Sequence, residues 1–155
     1  MRFLLMTMLA AGIFCSCNNN EIKTNKTATT KQTTEPTNQN DLEIGCYGFT
    51  DGKSIVMLDV INNKEQVKGN LSYALAEKDK NEGTFTGSVN DNILMATYSF
   101  QSEGKTSTRM VAFKIEDNKL MEGHGEMSAD GVNFVNTNSL SYSSNMPLEK
   151  GKCSK

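Results

Sequence analysis

Apolar and polar side chains alternate along most of the chain beyond residue 40, and this alternation constrains the fold more than any other feature of the sequence. In residues 67–75, every odd position is apolar or glycine and every even position is polar or small. A period of two places alternate side chains on opposite faces of a β-strand. The same pattern recurs in residues 46–49, 55–60, 83–89, 94–100, 111–115 and 132–142. It predicts about eight strands and no helix.

Short polar turns separate these segments and predict antiparallel hairpins. The turn candidates are Asn62-Asn63, Asn90-Asp91-Asn92, Glu103-Gly104 and Asp117-Asn118, all residue types that tolerate positive φ. Two-residue turns at the last two sites fix a register. The facing pairs they predict are Leu94–Phe113, Ala96–Val111, Tyr98–Arg109, Ile115–Leu120, Val111–His124 and Arg109–Glu126.

The predicted fold class is all-β. Eight antiparallel strands in sequence order favour an up-and-down meander barrel, because closure removes the open sheet edges that promote aggregation. A β-sandwich is the alternative interpretation.

The N-terminus predicts an export signal with a lipid anchor. Arg2 is followed by an apolar run of about a dozen residues, too short for a membrane-spanning helix, which needs about 20. The run ends in Ser16-Cys17, which resembles the lipobox of bacterial lipoproteins. We therefore predict a signal peptide at residues 1–16 and lipidation of Cys17. Lipidation of Cys15 and an ordinary signal peptide are the alternatives.

The composition divides the rest of the chain into a tether and one domain. Residues 18–40 are mainly Thr, Asn, Lys and Gln without glycine, a composition that cannot bury enough surface to fold. Residues 17–40 are thus predicted to be a lipidated cysteine followed by a flexible tether. Residues 41–155 are predicted to be a single β-barrel domain.

Charge gives no indication of nucleic-acid binding. Without residues 1–16, 15 basic and 18 acidic side chains remain, a net charge of −3, and no basic cluster stands out. The expected partners are instead the membrane, through the lipid, and either a small amphipathic ligand or an envelope protein.

Cys46 and Cys153 lie near opposite ends of the predicted domain. Two cysteines in an exported domain most often form a disulfide, and barrel closure would make the first and last strands neighbours. We predict a Cys46–Cys153 disulfide, with two free buried thiols as the alternative.

Charged residues interrupt the inward-facing positions of the last strands. They are Arg109, Glu122, His124 and Glu126, and the predicted register sets Arg109 between Tyr98 and Glu126. These four residues and Tyr98 form the candidate pocket, suited to a ligand with a polar or anionic end. The alternatives are a salt-bridge layer or a face exposed to solvent.

The same residues give no pattern for catalysis or metal binding. His124 is the only histidine, and the sequence contains no GxSxG motif. Three side chains on one extended strand span too far to chelate one ion. We predict no catalytic residues, no metal site and no cofactor.

Four strings resemble an uncharacterised family of small Bacteroidota envelope lipoproteins: residues 71–79, 81–84, 98–104 and 122–126. The resemblance covers residues 46–153. It implies an outer-membrane lipoprotein, on the periplasmic face or the cell surface, with a compact β domain, and it implies no activity. The glycine-rich hairpins also look like those of lipocalin- and avidin-type barrels, but the chain has no tryptophan, the signature residue of those families.

Two functional hypotheses follow. The first is a lipid-anchored, non-catalytic module that binds a small ligand beside Arg109. The second is an interaction or inhibitor lipoprotein that acts through exposed loops such as residues 77–81.

Overall fold

The chain forms a closed eight-stranded antiparallel barrel in which each strand pairs with its neighbours in sequence. The computed structural model describes residues 42–153. The strands are β1 (Gly45–Thr50), β2 (Ile55–Asn63), β3 (Val67–Ala74), β4 (Asn81–Asn90), β5 (Ile93–Ser102), β6 (Lys105–Glu116), β7 (Lys119–Glu122) and β8 (Leu148–Lys150). The up-and-down barrel is confirmed and the sandwich is not observed.

The predicted signal peptide, Cys17 and the tether lie outside the described residues. Within residues 42–153, no helix is long and apolar enough to cross a membrane. The one short 3₁₀-helix of this part of the chain is Thr137–Ser139.

The apolar positions of the alternating pattern fill the barrel. Inward side chains of every strand contribute to one core, including Val56, Leu71, Phe85, Leu94 and Phe113, each at most 2% exposed. Burial of such side chains is the main stabilising contribution in a fold of this kind.

The predicted hairpin turns form as the residue types require. Asp91-Asn92, Glu103-Gly104 and Asp117-Asn118 all have positive φ at both positions, as in type I′ turns. The Leu94–Phe113, Ala96–Val111, Tyr98–Arg109 and Ile115–Leu120 pairings are confirmed. Asn62 and Asn63 are not a turn, because β2 continues through them after a bulge that follows Val60.

The predicted register fails beyond Glu122. The β6–β7 ladder ends near Glu122, which pairs with Phe113, and the Met110 amide instead donates to the Val132 carbonyl at 2.6 Å. The predicted facing pairs Val111–His124 and Arg109–Glu126 are therefore wrong. His124 exchanges both backbone hydrogen bonds with Ser141.

Residues 123–147 form a long connection, called here the β7–β8 loop. The prediction of a last strand at residues 132–142 is wrong. This loop lies against the outer face of β6, where Ala112 is completely buried although it points away from the barrel interior. The strand that closes the barrel is the short β8, through Tyr47–Lys150 and Gly48–Glu149.

The two barrel ends differ. The site end carries the β1–β2, β3–β4 and β5–β6 turns and the β7–β8 loop. The disulfide end carries the other three turns and buried Leu42, whose carbonyl accepts a hydrogen bond from Asn63 Nδ2 at 2.8 Å. It also holds Cys46 and Cys153 at disulfide-bonding distance, with Cα atoms 6.2 Å apart.

Candidate functional site

Arg109 occupies an inward position of β6 at the site end. Because β6 alternates from the β5–β6 turn onwards, Arg109 shares the inner face with Val111 and Phe113 deeper in the barrel. The fold therefore sets a cation where the apolar core ends.

Three aromatic rings surround the Arg109 guanidinium. Its Cζ lies 5.2 Å from the ring centre of Tyr73, 5.6 Å from that of Phe100 and 5.9 Å from that of Tyr98. All three distances fall in the range of cation–π attraction. Tyr98 and Phe100 are themselves stacked, with centroids 4.8 Å apart. Tyr73, Tyr98 and Phe100 are called the aromatic cluster below.

The guanidinium has no hydrogen-bond or ion-pair partner among the described residues. No ion pair joins it to another side chain of residues 42–153, and its buried Nε has no hydrogen-bond acceptor. Buried polar atoms are normally satisfied in folded proteins, and a guanidinium fork matches the two oxygens of a carboxylate. The arrangement leaves Arg109 able to bind an anion.

Glu122, on the neighbouring strand β7, is held by the aromatic cluster and not by Arg109. Its Oε1 accepts a hydrogen bond from the Tyr73 hydroxyl at 2.7 Å. Burial, followed by the nearby Glu122 charge, raises the pKa of Tyr73 well above the usual tyrosine value. The Tyr73 hydroxyl is therefore protonated near neutral pH, and the hydrogen bond that it donates orients the Glu122 carboxylate.

Tyr98 has a structural role. It is completely buried, and its hydroxyl donates to the Leu71 carbonyl at 2.9 Å. Burial raises the pKa of Tyr98 to about 12. Tyr98 therefore packs its ring against the Arg109 guanidinium and lines neither of the pockets described next.

Two pockets meet at Arg109, Glu122 and His124. The head pocket, about 370 Å³, is lined by Tyr73, Leu75, Lys78, Asp79, Asn81, Arg109, Glu122, His124 and Met146. The loop pocket, about 230 Å³, is lined by Arg109, Met110, Val111, Glu122, Gly123, His124, Gly125, Met127, Gly131 and Phe134.

The structure brings together four of the five candidate pocket residues. Tyr98, Arg109 and Glu122 are neighbours, and the exposed His124 lies at the rim shared by the two pockets. Glu126 does not join them. It is exposed on the β7–β8 loop, where its carbonyl accepts a hydrogen bond from the Val135 amide.

Tyr73 and the β7–β8 loop are the parts of the site that sequence reasoning missed. Tyr73 lies on β3, which is not paired with β6, so no hairpin count connects it to Arg109. One feature of the sequence could have indicated it: Tyr73 occupies an inward-facing position of its strand, at the same end of the barrel as Arg109.

No group of three or more His, Cys, Asp or Glu side chains in residues 42–153 is placed to hold a metal ion. Neither protein-family models, curated proteins nor solved structures give a match to this chain. The resemblance to Bacteroidota lipoproteins therefore stays a prediction.

Proposed function

We propose that this protein is a lipid-anchored envelope lipoprotein that binds a small amphipathic ligand without chemical conversion. Arg109 holds the anionic group of the ligand at the site end of the barrel. Acyl chains on Cys17 attach the protein to the outer membrane, and residues 18–40 act as the spacer.

The unpartnered Arg109 guanidinium is the observation that carries this proposal. The three rings of the aromatic cluster offset part of the cost of its burial, yet they supply no hydrogen-bond acceptor for Nε. A carboxylate in either pocket can pair with the Arg109 guanidinium, since Arg109 lines both, and it neutralises the charge. Lys78, which lines the head pocket, adds a second cation.

The position of the pockets agrees with a membrane-anchored binder. The described chain starts at Leu42 on the disulfide end, and both pockets lie at the other end. The end of the barrel at which the chain enters is therefore not the end that binds the ligand, so attachment through the N-terminal segment does not block the pockets.

Arginine side-chain NMR tests the proposal directly, because the chain has only two arginines, Arg2 and Arg109. The full chain is labelled with ¹⁵N-arginine, placed in lipid nanodiscs and titrated with octanoate, octanol and octylammonium, with empty nanodiscs as the blank. We expect octanoate alone to shift the Arg109 Nε–H signal. Calorimetry should show at least tenfold weaker octanoate binding to Arg109→Gln.

Lys114→Gln is the matched control. It removes one positive charge from the same strand, on an exposed side chain that pairs with Glu116, and should leave binding unchanged. The proposal is overturned if octanoate binds Arg109→Gln as tightly as the native chain, or if octanoate does not shift the Arg109 Nε–H signal. The alternative of a partner protein that docks on exposed residues 77–80 would then be preferred.

A further inference from the structure

We infer that the ligand of Arg109 is an aliphatic monocarboxylate of medium chain length, whose apolar chain lies in the loop pocket. This inference rests on the proposed function, because it requires the carboxylate to bind Arg109. Beyond that function, the inference states where the part of the ligand other than the carboxylate lies, and that this part is an apolar chain.

An anion at Arg109 can extend into either of two pockets, and their linings differ. The head pocket carries further charged and amide groups, namely Lys78, Asp79 and Asn81. Burying an apolar chain against these groups would remove them from water without new hydrogen bonds, which is unfavourable.

The loop pocket offers an apolar wall. Met110, Met127 and Phe134 line it, together with Val111 of β6. Thioether side chains adapt their shape to flexible apolar ligands. Apart from Arg109, no arginine or lysine is among its lining residues, so the pocket suits a single negative charge.

Backbone hydrogen bonds hold the loop over this pocket. The Met110 amide donates to Val132 at 2.6 Å, and Met127 and Phe134 are bridged as antiparallel partners. A pocket formed before binding avoids the entropic cost of ordering a loop around the ligand.

The volume limits the chain length. At about 230 Å³, the loop pocket is smaller than the 300–1,000 Å³ or so of sites for drug-sized ligands. Affinity should therefore rise with each added methylene while the pocket fills, and then level off.

A chain-length series on the full protein in nanodiscs tests this. Acetate, butyrate, hexanoate, octanoate, decanoate and palmitate are titrated by calorimetry, with empty nanodiscs as the blank and the Arg109 Nε–H signal as a second readout. We expect affinity to increase up to about fourfold per methylene, the factor for complete burial, with a plateau before palmitate. Equal affinity along the series with a shifted Arg109 signal overturns this inference and leaves the proposed function intact. No shift with any carboxylate overturns both.

Phe134→Ala locates the chain. It should weaken octanoate binding about tenfold and leave acetate binding unchanged, whereas Val135→Ala, at an exposed neighbouring position outside the pocket, should change neither. Slow exchange of the Met110 amide checks that the loop remains docked. An equal effect of Phe134→Ala on acetate and octanoate contradicts the inference, and the series on the native chain decides it even where this variant disturbs the loop.

Discussion

At the scale of single residues, the site joins two opposite charges that do not pair. Arg109 and Glu122 lie on neighbouring strands, yet no ion pair connects these two described residues. The Tyr73 hydroxyl holds Glu122, and the aromatic cluster holds Arg109. Glu122 therefore opposes the approach of any anion to the guanidinium.

Glu122→Gln should tighten octanoate binding, because it removes a like charge and keeps an oxygen to accept from Tyr73. The expected gain is about 1 kcal/mol, roughly fivefold in affinity, measured by calorimetry at low salt. Glu116→Gln makes the same charge change on an outward position of β6 and should have no effect. Weaker octanoate binding to Glu122→Gln would contradict this prediction and show that charge repulsion by Glu122 does not limit binding.

The strand register derived from the hairpin turns predicts only some of these residue contacts. Tyr98 faces Arg109 because a two-residue turn separates their strands, and the sequence shows that turn. Tyr73 reaches Arg109 across the barrel, a contact that depends on closure and on the curvature of the whole sheet. Glu126 was misplaced because the β6–β7 ladder ends four residues before it.

At the scale of elements, glycines on inward strand positions allow neighbouring backbones to approach closely. A Cβ on Gly83 of β4 would lie 1.9 Å from the Ser99 carbonyl oxygen of β5, and one on Gly69 of β3 would lie 1.9 Å from the Asp59 oxygen of β2. Such contacts require a backbone shift, so these glycines fix the strand geometry of the barrel wall.

Gly83→Ala should destabilise the barrel by about 1–3 kcal/mol, because the neighbouring strand must move to admit the methyl group. Urea unfolding measures this as a lower midpoint with an unchanged slope. Thr84→Ala, at the adjacent exposed and outward position, should cost much less. Equal midpoints for Gly83→Ala and the native chain would show that β4 and β5 can separate freely.

Seven strands and most turns were predictable at this scale, but the β7–β8 loop was not. Residues 132–142 alternate like a strand because Val132, Phe134, Leu140 and Tyr142 are half-buried. They lie on a loop that covers the outer face of β6. An alternation of apolar and polar residues indicates that one face of an extended segment is buried. It does not indicate whether that face lies inside the barrel or against the outside of another strand.

At the scale of the whole molecule, the seam between β1 and β8 and the candidate site lie apart. The strand β8 has three residues, and it joins β1 only through Tyr47–Lys150 and Gly48–Glu149. The Cys46–Cys153 pair lies beside this seam at the disulfide end, and the Gly151 amide donates to the Cys46 carbonyl. Closure of the barrel therefore depends on a short strand with a covalent link next to it.

Replacing both cysteines, Cys46→Ser with Cys153→Ser, should lower the free energy of unfolding by about 2–5 kcal/mol, because the link joins positions that are 107 apart in the sequence. Denaturant unfolding of the full chain measures this loss.

Reductant should lower the stability of the native chain to a similar extent and leave the stability of the double variant unchanged. Equal stability of the native chain and the double variant would instead indicate that the two cysteines are free thiols. Hydrogen exchange should accelerate at the Gly151 amide, which donates across the seam to the Cys46 carbonyl, and stay slow at the Met110 amide. Octanoate affinity should also persist in the double variant at low denaturant, because Arg109 is positioned by β3, β5 and β6 and not by the seam.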